Sequence, residues 1–431
     1  MILLGLLFIL LATLGTPLFV VMGGLAWWLF HLAELDTSAI LIEMYRLANA
    51  PTLLTIPLFT FAGTLLSASQ TPQRLVRCVQ ALMGWLPGGL ALVTLVSCAF
   101  FTAFTGASGV TIVALGGLLL PLLLRQCYPE RFSLGLLTTC GSLGLLFPPS
   151  LPIILYGLVA QTSIDLLFLA AFLPGLLLVC LLGLFSIYQA RRYGVPTHRS
   201  SWAEVRQALW QAKWELVLPC LVLVGLYGGL VTVSEIAVIT AMYSVLVTVG
   251  VHRDLHLWHD LPRLMWQSMI LVGAIFIILG MAMGVTNYLI DAQVPRYLLG
   301  AIRGYITSRI GFLLVLNILL LLVGCMMDIF SAIIVVVPLI TPIAAQFGVH
   351  PLHLGIIFLT NLEIGYLTPP VGLNLFLGSL QFERPITQLY RASWPFIIIL
   401  LLALLAITYV PELSLGLVRA LGYADMPVFR R

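Results

Sequence analysis

Residues 361–374 read Asn361-Leu-Glu-Ile-Gly-Tyr-Leu-Thr-Pro-Pro-Val-Gly-Leu-Asn374, inside a long apolar segment where a helix would otherwise run straight through. Pro369 and Pro370 each lack an N–H, so a helix interior cannot absorb them without freeing carbonyls. In lipid-buried backbone, freed carbonyls are tolerated only where they face protein, water or an ion. A double proline flanked by Gly365, Thr368, Gly372 and Asn374 therefore predicts a broken helix whose loose ends line a site.

The surrounding chain sets the medium. Of its 431 residues, 61% are hydrophobic and 8% charged, with a mean hydropathy of +1.12, whereas soluble domains carry about 25% charged residues. This composition specifies an all-α, polytopic membrane protein. Met1 is followed by an apolar stretch without a basic n-region, long enough to span, so it reads as a first transmembrane helix that stays. The net charge of +4 comes mostly from arginines in short connections, which fits cytoplasmic loop bias rather than nucleic-acid binding. Seven cysteines form no CxxC pair and read as small packing residues, so neither a disulfide framework nor a zinc site is suggested. The seven histidines fall in or near connections, so paired mid-span haem ligands are missing.

Spans are expected near 2–29, 40–66 (broken by Pro51 and Pro57), 165–188, 215–232, 234–251, a long one ending near 288, and 394–411. Amphipathic stretches at 70–85, 201–214 and 289–310 should lie along the interface; the last carries Arg296, Arg303 and Arg309. Between Leu86 and Leu124 two half-length apolar runs flank Thr105-Gly106-Ala107-Ser108-Gly109, the second run ending at Pro121, the pattern of a re-entrant hairpin. The next segment, 132–161, is interrupted by Phe147-Pro148-Pro149-Ser150-Leu151-Pro152. The same order recurs later, with a hairpin tip at Gly324-Cys325-Met326-Met327-Asp328 and then the opening stretch.

An offset of 221 positions superposes Pro121 on Pro342, Gly144 on Gly365, Pro148 on Pro369, Pro149 on Pro370 and Gly63 on Gly284. Interrupted helices at matching positions of two halves point to a secondary transporter with its site at the repeat interface. Three full crossings between the halves invert the second repeat. With the arginine-rich 191–213 loop in the cytoplasm, the first hairpin enters from inside and the second from outside, the N-terminus lies inside and the C-terminus outside, against which Arg430 and Arg431 weigh mildly. The expected organisation is a scaffold of 1–85, a first repeat of 86–161, scaffold with an arm near 201–214 over 162–310, a second repeat of 311–380, and a final scaffold span and tail of 381–431.

Thr105, Gly106, Ser108, Pro148, Ser150, Gly365, Thr368, Pro369 and Asn374 offer neutral oxygens or proline- and glycine-released carbonyls, a ligand set that suits a desolvated Na⁺ better than Ca²⁺. The alternative is that the small polar residues serve close packing or bond to the preceding turn. Ser108, Ser150, Thr368 and Asn374 are also the candidates for touching substrate. Asp328 either binds an ion or closes its hairpin. Glu363 carries a proton or cation or caps freed N–H groups, the capping role being favoured. Arg125, at the end of the first hairpin, reads as an interfacial anchor rather than a ligand for an organic anion.

With these residues in view, the chain resembles the large membrane subunit of the tripartite ATP-independent periplasmic (TRAP) transporters, within the ion transporter superfamily. The resemblance rests on Pro57-Leu-Phe-Thr-Phe-Ala-Gly63, Gly88-Gly-Leu-Ala91, Gly106-Ala-Ser-Gly-Val-Thr111, Phe147-Pro-Pro-Ser150 with Tyr156-Gly157, Ser163-Ile-Asp-Leu-Leu-Phe168 with Pro174-Gly175, and the 361–374 stretch, which is the most specific. It implies Na⁺-driven symport of an organic acid into a bacterial or archaeal cell across the cytoplasmic membrane. It also implies a periplasmic binding protein that largely sets the substrate, a small four-helix membrane subunit, and an elevator in which hairpins and broken helices slide against a scaffold. No cofactor is implied beyond the coupling ion. The first tip departs from the family pattern: members usually carry Gly-Ser-Ser followed by alanines, and Ala107 and Gly109 stand in place of the first Ser and the first of those Ala. A stand-alone sodium and anion symporter of the same superfamily is the main rival. A channel is another, and a membrane-embedded enzyme would need a nucleophile and base or a metal cluster at one depth, which the histidines and cysteines do not supply.

Overall fold

In hydrocarbon every backbone polar group must be bonded within the protein, which for apolar runs of this length means helix. The computed structural model describes residues 16–38, 51–196, 201–294 and 308–422 with a few positions between them, and all regular structure among them is helical. Seven of these helices are long and apolar enough to cross a membrane, or ten spans if each of three bent pairs counts as one. The start of the first expected span, the Arg296 and Arg303 stretch and the Arg430–Arg431 tail lie outside the described residues.

The first half runs α1 (Leu18–Leu32), α2 (Thr55–Ala68) and α3 (Thr71–Met83), with α2 and α3 meeting at 74°. Pro57, expected to break a span, sits in the first turn of α2, where its missing N–H has no intrahelical partner to lose. The interruption is instead a 3-10 turn at Pro51–Leu54. A hairpin follows, α4 (Gly89–Thr105) and α5 (Ser108–Arg125), the latter with a π turn at Ile112–Gly116 and Pro121 in its interior rather than at its end. Then α6 (Glu130–Cys140, with a 3-10 turn Leu143–Leu146) and α7 (Leu151–Val159) bend by 47° about the first Pro-Pro.

The middle comprises α8 (Ile164–Tyr193), α9 (Trp202–Gln211), α10 (Lys213–Tyr227), α11 (Val233–Val245) and α12 (Asp260–Asp291). Residues expected at the start of an interfacial segment at 289 belong to α12, and Arg309 opens the next helix. The second half is α13 (Arg309–Met326), α14 (Ile329–Gln346), α15 (Pro351–Gly365), α16 (Leu373–Phe382), α17 (Ile386–Tyr409) and α18 (Glu412–Ala420).

Two sets of helices pack among themselves and also meet each other, α2 and α3 on α4 and α12 on α14. In one, α1 lies along α12, and α2 along both α11 and α12. In the other, α8 and α17 pack on the hairpins and broken helices, although the sequence boundaries at 162 and 381 assign them to the scaffold. Phe132, Phe185 and Phe396 join α6, α8 and α17 in one aromatic cluster. A buried polar ladder does the same on the far side: Asn361 donates to Asn317 at 2.7 Å, Asn317 to Thr408 at 3.1 Å, and His353 contacts Ser414 at 3.1 Å. Polar groups with no water to bond are satisfied only in fixed register, so α13, α15, α17 and α18 are held together.

The ends of α17 mark two faces. Arg131, at the base of the first hairpin, donates to Arg391 O near the start of α17; Ile310 O, at the base of the second, accepts from Tyr409 at its end. At about 1.5 Å per residue, the 24 residues of α17 are long enough to cross a bilayer. On the first face Arg74 of α3 pairs with Glu215 of α10 and Asp254 beyond α11. Burial disfavours the charge of Asp254, but bonds from Arg74 and the Gln70 N–H outweigh it and hold the carboxyl below its usual range.

Candidate ion and substrate site at the helix interruptions

Each hairpin tip meets the break that follows it. At the first tip Gly106 adopts a left-handed φ of +65°, and a Cβ there would lie 2.5 Å from Leu151 Cδ1, so the tip abuts the start of α7. Gly144 fits its helix so closely against α4 that a Cβ would lie 2.2 Å from Ala99 O. Thr102 Oγ1 sits 2.7 Å from Thr111 Oγ1 and 3.0 Å from Gly141 O, stitching both arms to the end of α6. At the second tip Gly365 presses on Gly324, the Gly372 N–H donates to Cys325 O at 3.3 Å, and Ile329 N donates to the Tyr366 hydroxyl at 2.7 Å. The Pro148–Pro149 and Pro369–Pro370 peptides are both cis.

The half-helices then cross between repeats. Asn374, first turn of α16, donates to Thr138 O of α6 at 3.3 Å, and Leu377 fills the space beside Gly109. The second break thus reaches the first hairpin, and α7 packs reciprocally on α14.

Among the expected site residues, Thr105, Gly106, Ser108, Pro148 and Ser150 are gathered at the first tip and break, where Asn374 approaches through Thr138. The hydroxyl oxygens of Thr105 and Ser150 and Oδ1 of Asn374 are buried without a hydrogen-bond partner. Unpaired buried oxygens are costly, and neutral oxygens with no protein donor are what a partly dehydrated Na⁺ accepts. The donor chemistry therefore fits that ion.

The second tip is different. Thr368 turns its hydroxyl back to Ile364 O at 3.0 Å, and Asp328 N-caps α14, accepting from Phe330 N, Ser331 N and the Ser331 hydroxyl. Glu363 is fully buried, and neither oxygen has a partner, so it caps no N–H. Arg125 is exposed at the far end of α5, about 25 Å of helix from Ser108 at 1.5 Å per residue, and is not brought to the site. Thr102, Thr111, Tyr366 and Thr139, whose hydroxyl is buried without a partner, were not anticipated. Thr139 carries a signal that could have found it: the 221-residue offset matches it with Thr360.

Known proteins resemble this chain in sequence and in overall fold. The family model of the tripartite ATP-independent periplasmic transporter, DctM component, matches residues 4–413. The chain belongs to this family. It is 35% identical to the C4-dicarboxylate TRAP transporter large permease protein of Pseudomonas aeruginosa, over 90% of this chain and 91% of the relative. It is also 35% identical to the isethionate TRAP transporter permease protein of Oleidesulfovibrio alaskensis, where the match takes in 84% of this chain but 57% of the longer relative. The ectoine/5-hydroxyectoine large permease protein of Ruegeria pomeroyi is 32% identical over 95% of this chain and 96% of its own length. In fold, this DctM-family chain resembles the YdaH transporter of Alcanivorax borkumensis with a TM-score of 0.66, 16% identity and coverage of 96% and 99% of the two chains.

Proposed function

We propose that this DctM-family chain is the translocating subunit of a Na⁺-coupled symporter. It carries a small organic acid, a carboxylate, across a bacterial cytoplasmic membrane, working with a periplasmic binding protein and a small four-helix membrane subunit. The observation that carries the reading is the pair of tip-and-break junctions, the first with unpaired buried oxygens from Thr105 and Ser150, approached by Asn374. The names of relatives that handle C4-dicarboxylates and isethionate support an anionic substrate; the ectoine relatives widen the class to small polar solutes.

An inverted-repeat, re-entrant reading is supported by the two hairpin bases lying at opposite ends of α17. In the elevator, α4 to α8 and α13 to α18 move as one body, because the aromatic cluster and the polar ladder tie α8, α17 and α18 to the broken helices. The scaffold is α1 to α3 and α9 to α12. Gly63 of α2 touches the first tip, where a Cβ would lie 2.7 Å from Thr105 Cα, so the moving body rests on the scaffold at that tip.

The test is uptake of labelled succinate, isethionate and ectoine into proteoliposomes, with and without an inward Na⁺ gradient. Each is to be run with the chain alone and with its small subunit and loaded binding protein. Gradient-driven uptake only in the complete system is expected. Uptake by the chain alone refutes dependence on partners, and uptake indifferent to Na⁺ refutes the coupling.

A further inference from the structure

A cavity of about 460 Å³ opens at the start of α17, lined by Arg131, Pro385, Thr387, Gln388 and Arg391. No acid lines it, and the nearby Glu130 is already engaged by Arg384 at 2.6 Å. Arg131 is held in place, its Nε and Nη2 donating to Arg391 O at 3.2 and 2.9 Å, which leaves Nη1 uncommitted. The Arg391 guanidinium has no hydrogen-bond or acidic partner among the described residues. The first turn of α17 has no side-chain cap, so its free N–H groups add positive potential on the same side. Two guanidinia, a hydroxyl and an amide line one small volume, with no carboxylate among them to balance the positive charge.

Below this cavity the outer face of α17 changes character. Trp394, Ile398, Leu402 and Leu405 follow Arg391 at helical spacing, and all four are exposed. A guanidinium pair above, a tryptophan next, then an aliphatic stripe reproduces the order of a phospholipid from headgroup to chain.

We propose that this cavity binds the phosphate of an anionic phospholipid, with the acyl chains lying along Trp394, Ile398 and Leu402. Planar guanidinium forks match phosphate oxygens in pairs, and basic pockets at the membrane boundary select anionic headgroups. The apolar stripe is what separates a lipid from free phosphate, which has no use for it. Because the cavity sits where α6 meets α17, the lipid travels with the moving body of the elevator. The proposal rests on the membrane reading of the chain and is independent of the coupling ion or substrate, so its failure leaves the transport assay untouched.

The test is native mass spectrometry of the full-length protein with phosphatidylglycerol and phosphatidylcholine of matched acyl chains. Wild type is expected to prefer phosphatidylglycerol. Arg391→Gln, which removes no side-chain hydrogen bond or ion pair and keeps the carbonyl that holds Arg131, should weaken that lipid about fivefold, and Arg131→Gln/Arg391→Gln about 25-fold, with phosphatidylcholine unchanged. Leu402→Asn should weaken both lipids alike. Equal binding of the two lipids by wild type, or undiminished phosphatidylglycerol binding in Arg391→Gln, overturns the proposal. Displacement of the lipid by inorganic phosphate alone reassigns the cavity to a soluble anion, and its loss on adding the small membrane subunit reassigns the face to that partner.

Discussion

The two Pro-Pro breaks share their punctuation at one offset, and both prolyl peptides are cis, but their surroundings are opposite. Pro148, Pro149 and Ser150 are buried, whereas Pro369, Pro370 and Val371 are exposed. Val371 is the counterpart of Ser150 at the 221-residue offset, and it is 49% exposed where Ser150 is fully covered. The tips diverge in the same sense. Ala107 stands at the N-cap of α5 and offers no side-chain cap, while its counterpart Asp328 caps α14 with two backbone bonds. Repetition therefore supplies two similar frames, and what packs around each one decides which oxygens stay unpaired and which face solvent. In an elevator, that difference is what transport would exchange.

The largest expected effect tests the frames themselves. Gly144→Ala places a Cβ 2.2 Å from Ala99 O, and Gly365→Ala places one 2.5 Å from Gly324 C. Backbone cannot yield as a flexible side chain does, so each should lose about 3 kcal/mol, read as thermal unfolding in detergent. A loss confined to one of the two would show that the halves do not share their tip-to-break packing.

Next comes access. With the exposed Cys127, Cys180 and Cys220 replaced, Val371→Cys should react rapidly with a membrane-impermeant maleimide in open membranes, and Ser150→Cys slowly. Equal rates would erase the contrast.

A smaller effect concerns the ion. Ser150→Ala, Ser108→Ala and Asn374→Ala should each raise the Na⁺ concentration for half-maximal uptake about fivefold, as one oxygen ligand is worth on the order of 1 kcal/mol. Thr368→Ala should change it less, because that hydroxyl is already spent on Ile364 O. Unchanged sodium curves in the first three would remove them from the site.

The smallest effect concerns the caps. Asp328→Ala should cost about 1 kcal/mol and Ala107→Ser should stabilise the first hairpin by a similar amount, both visible as shifts of the thermal midpoint. Opposite signs would mean that the extended backbone at Ala107 does not aim a hydroxyl at the next turn.

Much of the site was legible because proline and glycine act locally. A missing N–H or a missing Cβ constrains its own turn whatever surrounds it, so the breaks at 147–150 and 366–372 and the tips at 106 and 327–328 could be located from residues alone. Two prolines also misled: Pro121, expected to end its run, lies within a helix, and Pro57, expected to break a span, sits in a first turn, because a packed bundle can cover a freed carbonyl and a first turn frees none. The roles of Thr102, Asn361 and His353 were hidden, because each depends on a partner 39, 44 or 61 positions away.

What the chain's own sequence determined is the helical class, the membrane setting, the two-fold repetition and the places where helices fail, all properties carried by near neighbours in sequence. Only the tertiary structure decided that Asn374 leaves its own repeat for Thr138 and that Thr368 spends its hydroxyl on its own turn. It alone covered Ser150, exposed Val371, and joined α8 and α17 to the broken helices. Those outcomes follow from which surfaces meet across hundreds of residues, and an apolar helix can be buried equally well against many partners until close glycine contacts and paired polar groups select one.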